Sequence, residues 1–241
     1  MQIMTSIKTR IVQNTYYQIL EKKYRSFRKY SDYKREARRM LSLSVKADSV
    51  EEILHIKSTT KIFTSSQKNS EISALLNEVA KIRPKMVVEI GTQRGGTLFL
   101  FSCVAHPSAT VISVDYQYPS TEYKKTLVKF GKPSQKVLCL QKNSHDPSTL
   151  QSVKSILEDR CIDFLFIDGD HSYEGVKRDY ELYSPFVRRG GIIALHDIMP
   201  DYHTLYQQNT GTYTGGVPKY WQEIKQTQKD TLELIADTKQ D

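Results

Sequence analysis

Residues 87–97 read VVEIGTQRGGT, and this stretch decides the fold class. An apolar run leads through a glycine turn into a segment able to form a helix. Gly91 permits a sharp turn because glycine adopts backbone conformations that other residues avoid. Gly95 and Gly96 are expected to let a ligand approach the helix N-terminus, where free backbone N–H groups favour anions. The stretch therefore predicts a strand, a tight turn and a helix.

The same alternation of apolar runs and helical segments continues along the chain. The predicted strands are residues 86–90, 110–114, 136–140, 162–167 and 191–195, and the predicted helices between them are residues 95–105, 120–130, 147–157 and 173–186. Strands that are apolar on both sides and separated by helices are typical of a parallel sheet covered on both faces. We therefore predict an α/β fold: a Rossmann-like, doubly wound, mostly parallel sheet.

We expect the chain to consist of a basic, amphipathic helical arm (residues 1–46) followed by one domain (residues 47–241). The arm is predicted from apolar residues that recur every three to five positions over residues 3–40. The other predicted elements are helices at 47–56, 70–82 and 218–225, with Ser70 as an N-cap, a lid loop at 198–216 and a last strand at 232–236.

Charge separates the arm from the domain. Residues 1–40 hold eleven Lys and Arg against three Asp and Glu, a difference of eight, and the net charge of the whole chain is also +8. The rest of the chain is therefore balanced. A neutral domain weakens the case for nucleic-acid binding through an overall positive field.

Length and composition exclude other classes. The longest apolar runs fall far below the roughly 18 residues of a membrane span, and the N-terminus lacks the apolar stretch of a signal peptide. Cys103, Cys139 and Cys161 are widely spaced and form no zinc or redox motif. We expect reduced thiols in a cytoplasmic protein, with the arm as a candidate for contact with a membrane surface.

Polar residues follow every predicted strand. They are Glu89 and Gly91, Asp115, Asn143 and Ser144, Asp168 with Asp170 and His171, and finally His196 and Asp197. Ligands of open parallel sheets bind outside the carboxyl ends of the strands, where the strand order reverses. We therefore expect these residues to form one site.

The first two strand ends indicate a nucleoside-containing cofactor. Gly91 supplies the turn, and Asp115 follows the next strand, where an acid can accept both hydroxyls of a ribose. The glycine spacing is Gly-x-x-x-Gly, which differs from the Gly-x-Gly-x-x-Gly of dinucleotide sites, and it lacks the Lys-Ser/Thr of a phosphate loop.

EIGTQRGGT (residues 89–97) and ISVDY (residues 112–116) resemble the first two motifs of the class I S-adenosylmethionine-dependent methyltransferases. The resemblance implies S-adenosylmethionine as the cofactor. It also implies a set of cofactor-binding residues. Around the methionine part these are Glu89, Gly91, Thr92, Gly95 and Thr97, at the nucleoside they are Asp115, Tyr116, Asn143 and Ser144, and Asp168 completes the set.

The segment at residues 166–197, FIDGDHSYEGVKRDYELYSPFVRRGGIIALHD, resembles the metal-dependent small-molecule O-methyltransferases. Within these it is similar to the macrocin and mycinamicin sugar O-methyltransferases and to the proteins called cephalosporin hydroxylases. The resemblance implies methyl transfer to a hydroxyl of a sugar or secondary metabolite, assisted by a divalent metal. Relatives also continue into a further strand that completes a seven-stranded sheet.

Asp168 and Asp197 end neighbouring predicted strands, so both carboxylates can point at one metal ion, and oxygen ligands suit Mg²⁺. His196 is a third candidate ligand, where the related enzymes usually carry an acid. A nitrogen donor moves the preference toward Mn²⁺, Fe²⁺ or Zn²⁺. Alternatively, His196 makes a hydrogen bond to a ligand residue or to the substrate.

Two residues are candidates for the catalytic base. His171 lies three residues after Asp168, and an imidazole of near-neutral pKa can take a hydroxyl proton. Asp170 is the alternative, because some relatives use an acid at this position.

Three other functions remain open. A nucleic-acid methyltransferase could use the basic arm, although the chain lacks the Asn/Asp-Pro-Pro-aromatic motif of amino-methylating enzymes. A hydroxylase-like relative would need a two-His-one-carboxylate iron site. The third is a non-enzymatic or membrane-tethered module in which the arm dominates, and the arm could then pack on its own domain, on a second copy in a homo-oligomer, or on anionic lipid.

Overall fold

The computed structural model describes residues 18, 22, 28–201 and 213–236. Most of the arm before residue 28 and residues 202–212 of the predicted lid, which include Tyr202, His203 and Tyr206, lie outside the described residues.

Five parallel strands form one sheet in the order β3-β2-β1-β4-β5. The strands are β1 (Met86–Ile90), β2 (Thr110–Asp115), β3 (Lys136–Gln141), β4 (Ile162–Ile167) and β5 (Val187–Leu195). The predicted parallel sheet is confirmed. β5 begins four residues earlier than expected, where Arg188 pairs with Asp163 at the start of β4.

Helices cover both faces of this sheet. They are α1 (described residues 28–44), α2 (Val50–Ser58), α3 (Asn69–Ile82), α4 (Gly96–Val104), α5 (Thr121–Leu127), α6 (Pro147–Leu157), α7 (Tyr173–Tyr183) and α8 (Val217–Thr227). Short 3₁₀ turns at Val128–Phe130 and Ser184–Phe186 end two segments that were predicted to be continuous helix.

Side-chain alternation along β1 divides the core in two. Val87 points into a cluster built with α1 to α5, whereas Met86, Val88 and Ile90 point into a cluster built with α6 to α8. All five residues of β1 are buried, as expected for the central strand of a sheet covered on both faces.

The described end of the arm packs onto the domain. Ala37 and Met40 on α1 are fully buried in the first core cluster. The Tyr33 ring meets Tyr123 of α5 edge-on with centroids 4.9 Å apart, and Arg39 donates a hydrogen bond to the Thr59 hydroxyl at 2.9 Å. Residues 28–44 are therefore part of the folded body, and the predicted boundary at residue 46 does not separate them from the core.

Two helix starts differ from prediction. Ser70 is not the N-cap of α3, because that helix begins at Asn69 after Lys68, which makes no side-chain capping bond. At α2 the cap is Ser49, whose hydroxyl accepts a hydrogen bond from the Glu52 N–H at 3.2 Å.

The predicted last strand is wrong. Residues 231–236 form no strand pairing in the described structure. Instead Glu233 accepts a hydrogen bond from the Trp221 indole at 2.6 Å, and the Ala236 N–H donates to Glu71 at 3.0 Å. Trp221 packs α8 into the second core cluster.

Among the described residues, no helix has both the length and the apolar character needed to cross a bilayer. The strand order reverses at β1, which has β2 on one side and β4 on the other. A crevice is therefore expected at the carboxyl ends of β1 and β4.

Candidate active site

A cavity of about 540 Å³ lies at the carboxyl ends of the strands. Most of the predicted site residues line it together. They are Gly91, Thr92, Thr97, Asp115, Tyr116, Asn143, Ser144, Asp168, Asp170, His171, His196 and Asp197. The strand topology thus collects residues that are up to about a hundred positions apart in the sequence.

Gly91 follows β1 and makes a backbone hydrogen bond to the end of β2. Its φ is +83°, and its N–H donates to the Val114 carbonyl of β2 at 2.9 Å. A Cβ atom here would lie 1.9 Å from the Asp168 carbonyl oxygen. Only glycine therefore allows the β1 turn to pass so close to the loop that carries Asp168.

Gly95 and Gly96 pack closely against other segments of the chain. Neither lines the cavity. A Cβ on Gly95 would lie 2.5 Å from a Leu127 methyl carbon, and one on Gly96 would lie 2.6 Å from the Thr64 carbonyl oxygen. These glycines make room for α5 and for the segment before α3, a packing role that the sequence did not predict, and the expected approach of a ligand to them stays a prediction.

Glu89 also lies outside the cavity lining, contrary to the prediction that it contacts the cofactor. Its side chain is 0% exposed and accepts a hydrogen bond from the Thr92 hydroxyl at 2.6 Å. The Thr92 hydroxyl also lies 2.5 Å from that of Ser113. Burial raises the pKa of Glu89 to about 8. At neutral pH this carboxyl is therefore mainly protonated, and its hydrogen bond with Thr92 stabilises the glycine turn.

Asp115 stabilises the same turn by accepting hydrogen bonds from its backbone N–H groups. One of its carboxylate oxygens accepts from the N–H groups of Thr92 at 2.8 Å and Gln93 at 2.7 Å, and the other accepts from Gln117 at 2.8 Å. The neighbouring Tyr116 is 76% exposed. Both residues line the cavity at the end of β2.

Two β3-end residues, Asn143 and Ser144, complete this side of the cavity. The Asn143 side-chain oxygen accepts from the His145 N–H at 2.9 Å, and the Ser144 carbonyl accepts from the Tyr183 hydroxyl at 2.8 Å. Because β3 pairs with β2, this segment lies beside Asp115 and Tyr116.

Two carboxylates and two imidazoles meet at the ends of β4 and β5. His171 Nε2 lies 3.1 Å from Asp168 Oδ1, and His171 Nδ1 lies 3.3 Å from Asp197 Oδ2. The buried Nδ1 atom of His196 lies 3.2 Å from each carboxylate. Asp197 has a φ of +58°, a conformation that is costly for a residue other than glycine and is often found at functional sites.

The electrostatics of this cluster favour charged imidazoles. His171 Nε2 faces the Asp168 carboxylate and its Nδ1 lies 2.9 Å from the Tyr213 carbonyl, so both nitrogens face acceptors. The hydrogen bond to Asp168 raises the pKa of His171 to about 9. Burial opposes charge on His196, but bonds to Asp168 and Asp197 outweigh it and raise its pKa to about 10. The two imidazoles hold the pKa of Asp168 below its ordinary value in spite of burial.

Asp170 lies at the edge of the cluster. It is exposed, lines the cavity and accepts a hydrogen bond from the Ser172 N–H at 2.9 Å, just before α7. A Cβ on Gly175 would lie 2.3 Å from the Asp170 carboxyl carbon, so that glycine makes room for the side chain.

Sequence reasoning missed Gln67. Its amide donates to Asp168 Oδ2 at 2.9 Å, and the segment at residues 64–67 lines the cavity. Gln67 lies before α3, far from the strand ends in the sequence, and neither its residue type nor its spacing singles it out. Tyr213 of the predicted lid loop contributes to the site through its carbonyl group, which lies 2.9 Å from His171 Nδ1.

The cluster fits a divalent cation. Asp168, His171 and Asp197 can each offer one ligand atom, and these atoms lie within 4.8 Å of one another. His171 therefore joins the predicted ligands Asp168 and Asp197, while His196 faces both carboxylates from below through a buried nitrogen. Oxygen and imidazole donors together suit several divalent metals.

Comparisons with known sequences relate the part of the chain that contains the sheet to a known protein family. Residues 88–198 match the family described as "Methyltransferase domain". Uncharacterized protein R132 of Acanthamoeba polyphaga mimivirus is 34% identical over 113 residues, which cover 46% of this chain and 50% of that protein. Uncharacterized protein y4gI of Sinorhizobium fredii is 23% identical over 152 residues, which cover 61% of this chain and 16% of that one. The chain thus spans half or less of these curated relatives.

The fold has solved counterparts. An O-methyltransferase from Bacillus cereus, solved in complex with SAH, superposes with a TM-score of 0.51 at 15% identity and covers 75% of this chain and 80% of its own. The likeness concerns the arrangement of strands and helices. Together with the family match, it leads to one conclusion: residues 88–198 match a methyltransferase domain, and the strands and helices have the Rossmann-like α/β fold of a methyltransferase.

Proposed function

We propose that the protein transfers the methyl group of S-adenosylmethionine to a hydroxyl of a small molecule, a sugar or a secondary metabolite, with the help of a divalent cation. The observation that carries the proposal is the cluster of Asp168, His171, His196 and Asp197 in the same cavity as the cofactor-binding turn. Such a cluster can hold an acceptor next to the methyl donor.

The cofactor is expected to extend along the ends of β1, β2 and β3. The β1 turn, at Gly91 and Thr92, and Thr97 of α4 flank the place of the methionine part. Asp115 is the acceptor for the ribose hydroxyls, and its bonds to backbone N–H groups fix its orientation. The adenine is expected beside Tyr116 and the β3 end, where Asn143 and Ser144 lie.

Asp168 and Asp197 are the proposed metal ligands, with an imidazole from His171 or His196. When bound, a divalent cation supplies a Lewis acid that binds acceptor oxygens and lowers the pKa of the hydroxyl to be methylated. Two carboxylates suit Mg²⁺, and each imidazole nitrogen added to the set favours Mn²⁺, Fe²⁺ or Zn²⁺. Gln67 orients Asp168 through its hydrogen bond to Oδ2.

His171 is the proposed base for the acceptor hydroxyl in the arrangement in which His196 supplies the imidazole ligand to the metal. In the arrangement described above it carries a proton on both nitrogens, so it must release one before it can accept another. The exposed carboxylate of Asp170 in the same cavity is the alternative. The other part of the catalysis is positioning, because methyl transfer from the sulfonium requires an in-line approach of the acceptor oxygen.

A second candidate is a metal-dependent hydroxylase-like function. His171 Nε2 and His196 Nδ1 both lie close to Asp168 Oδ1, at 3.1 Å and 3.2 Å. This places two imidazoles and one carboxylate together, the ligand types of non-haem iron sites. Iron-dependent consumption of O₂ by the purified protein would favour this candidate.

A nucleic-acid substrate is less well supported. The described part of the basic arm packs Ala37 and Met40 into the core, and the family match covers the domain alone. Binding of labelled RNA and DNA across a salt series would reveal a phosphate-directed role for the arm.

The proposal is tested by two measurements on the full chain. Titration calorimetry with S-adenosylhomocysteine, the demethylated product, should give saturable binding that Asp115→Ala weakens. S-adenosylmethionine with a radiolabelled methyl group should then transfer that label to hydroxyl acceptors from a panel of sugars. The transfer should stop when a chelator removes divalent cations and should return when Mn²⁺ or Mg²⁺ is added. A wild-type protein that fails to bind the product at about 1 mM, where even weak binding is measurable, would contradict the proposal.

A further inference from the structure

Asp179 is a buried acid with no role in the site described above. It lies on α7, and its side chain is 0% exposed. Among the residues that the structure describes, no lysine or arginine forms an ion pair with it. The group that does is His145, whose Nε2 lies 3.2 Å from Asp179 Oδ1. The side chain of His145 is only 21% exposed.

The pair connects two walls of the cavity. His145 follows Asn143 and Ser144 at the end of β3 and itself lines the cavity. Asp179 belongs to the helix that begins directly after the loop of Asp168 and His171. The pair therefore links the nucleoside side of the cavity to the element that follows the metal-binding loop.

Two other contacts from α7 reach the same β3-end segment. The Tyr183 hydroxyl donates to the Ser144 carbonyl at 2.8 Å, and the Arg178 guanidinium donates to the His145 carbonyl at 3.4 Å. Tyr183 lies one helical turn after Asp179, so both side chains point the same way. One face of α7 thus holds residues 144 and 145 in place.

Asp179 also touches the Asp168 loop. A Cβ on Gly169 would lie 3.2 Å from Asp179 Oδ2 and 3.1 Å from a methyl carbon of Ile90. Gly169 therefore leaves just enough room for the carboxylate beneath the loop. The buried acid is packed between the loop and the β3-end segment, and it contacts both.

Burying a carboxylate of this kind lowers the stability of the folded state. Removing a carboxylate from water carries a penalty that an apolar side chain of similar volume would avoid. Burial raises the pKa of Asp179 to about 6, although the Ser144 hydroxyl and the His145 imidazole act in the opposite direction. An apolar residue would pack α7 against the sheet at a lower cost, so packing alone does not account for an acid at this position.

We propose that Asp179 and His145 are a positioning pair that holds the β3-end segment against α7 and thereby shapes the nucleoside end of the cofactor crevice. β3 pairs with β2 so that Asp115 lies opposite Gln141, which places the segment next to Asp115 and Tyr116. The inference rests on the proposed cofactor site. It adds that affinity for the cofactor depends on an ion pair behind the wall of that site.

The test is titration calorimetry of S-adenosylhomocysteine with the full chain and four variants. Asp179→Asn and His145→Ala should each weaken binding about tenfold, because each variant removes one side of the 3.2 Å contact between the imidazole and the carboxylate. The double variant should bind no more weakly than either single one, because both remove the same interaction. Glu181→Gln, which changes an exposed acid on the same helix, should bind like the wild type.

Two readouts separate positioning from general damage. Mn²⁺ affinity of the Asp168 cluster, measured by electron paramagnetic resonance, should stay unchanged in His145→Ala. His145→Gln should recover most of the cofactor affinity, since its amide can donate to Asp179. Should Asp179→Asn fail to fold, the half-buried His145 position decides the question alone.

The inference is overturned if His145→Ala binds the product as tightly as the wild type, or if it loses Mn²⁺ affinity in parallel. It is also overturned if His145→Gln binds no better than His145→Ala. A wild-type chain that does not bind the product contradicts the proposed function as well, whereas the other outcomes leave that function intact.

Discussion

One carboxylate oxygen, Oδ1 of Asp168, faces two imidazoles: His171 Nε2 at 3.1 Å and His196 Nδ1 at 3.2 Å. The imidazoles come from different strand ends, one from the loop after β4 and one from the end of β5. Asp168 is thus the common partner of the cluster. Without a metal, protons on the two imidazoles balance the negative charges of Asp168 and Asp197, so a metal ion and these protons compete for the same site.

Asp168→Asn should abolish metal binding. The amide keeps the volume but loses the charge, so we expect Mn²⁺ affinity to fall roughly 100-fold or more, beyond the loss typical of outer-shell partners. Electron paramagnetic resonance of bound Mn²⁺ measures this. Asp163→Asn is the matched control, because that acid lies on the same strand but pairs with Arg188 at its opposite end. Equal Mn²⁺ affinities for the two variants would place the metal elsewhere.

Glu89→Gln should change how stability depends on pH. Folding raises the pKa of Glu89 from 4.5 to about 8, so the folded state holds this proton more tightly than the unfolded state. The contribution of this group to stability is therefore complete below about pH 4.5 and is lost as pH rises toward about 8.

Glutamine does not titrate, so its variant should lack this slope. Urea unfolding measured between about pH 5 and pH 8 should show that the unfolding free energy of the variant rises relative to that of the wild type by on the order of a few kcal/mol. Glu181→Gln, on the exposed face of α7, should follow the wild-type profile. Parallel profiles for Glu89→Gln and wild type would show that Glu89 ionises normally.

Gly91→Ala tests the close approach of the β1 turn to the Asp168 loop. Gly190 is a matched control with a similar backbone, since its φ is +72° and that of Gly91 is +83°. A Cβ on Gly190 meets its nearest atom at 3.4 Å, whereas one on Gly91 would meet the Asp168 carbonyl oxygen at 1.9 Å.

Gly190→Ala should therefore cost only the backbone strain, about 1 kcal/mol. Gly91→Ala should cost about 3 kcal/mol or more, because the steric clash adds to the strain. Chemical denaturation of both variants gives the comparison. Similar losses of unfolding free energy would mean that the two loops can separate freely.

His171→Gln and Asp170→Asn separate the two candidate bases. If His171 takes the hydroxyl proton, its variant should keep product affinity within about threefold and lose turnover by roughly 100-fold. Asp170→Asn should then retain most of the turnover. Label transfer to an acceptor identified from the panel measures both, and the reverse ranking would assign the base to Asp170.

The parts of the fold that follow from local pattern were predictable. β1 and β4 are buried on both faces except at Asp163, and their mainly apolar runs, each with one acidic residue, predicted the correct residues in both cases. Polar residues after those runs could be assigned to one site, because parallel strands end at the same edge of a sheet.

Features that depend on contacts between distant parts of the chain were not predictable. Gln67 meets Asp168 across 101 residues, and His145 meets Asp179 across two intervening elements. Nothing in the local sequence distinguishes these side chains from ordinary polar residues.

The residues near the end of the chain illustrate the limit of local pattern. Residues 232–236 were predicted to be a strand, but Leu232 and Ile235 in this segment are 62% and 49% exposed. Glu233 between them pairs with Lys225 and Trp221, so side-chain contacts to α8 hold this segment. A strand pattern becomes a strand only where a partner edge is available.

The central claim is that one cavity holds the methyl donor and a divalent cation side by side. Its most direct test is a crystal structure of the full chain grown with S-adenosylhomocysteine and Mn²⁺, with an anomalous difference map for the metal. We predict ribose hydroxyls on Asp115 and one manganese peak between Asp168, Asp197 and an imidazole of His171 or His196. Product bound away from Asp115, or no manganese at the Asp168 cluster, would contradict the account.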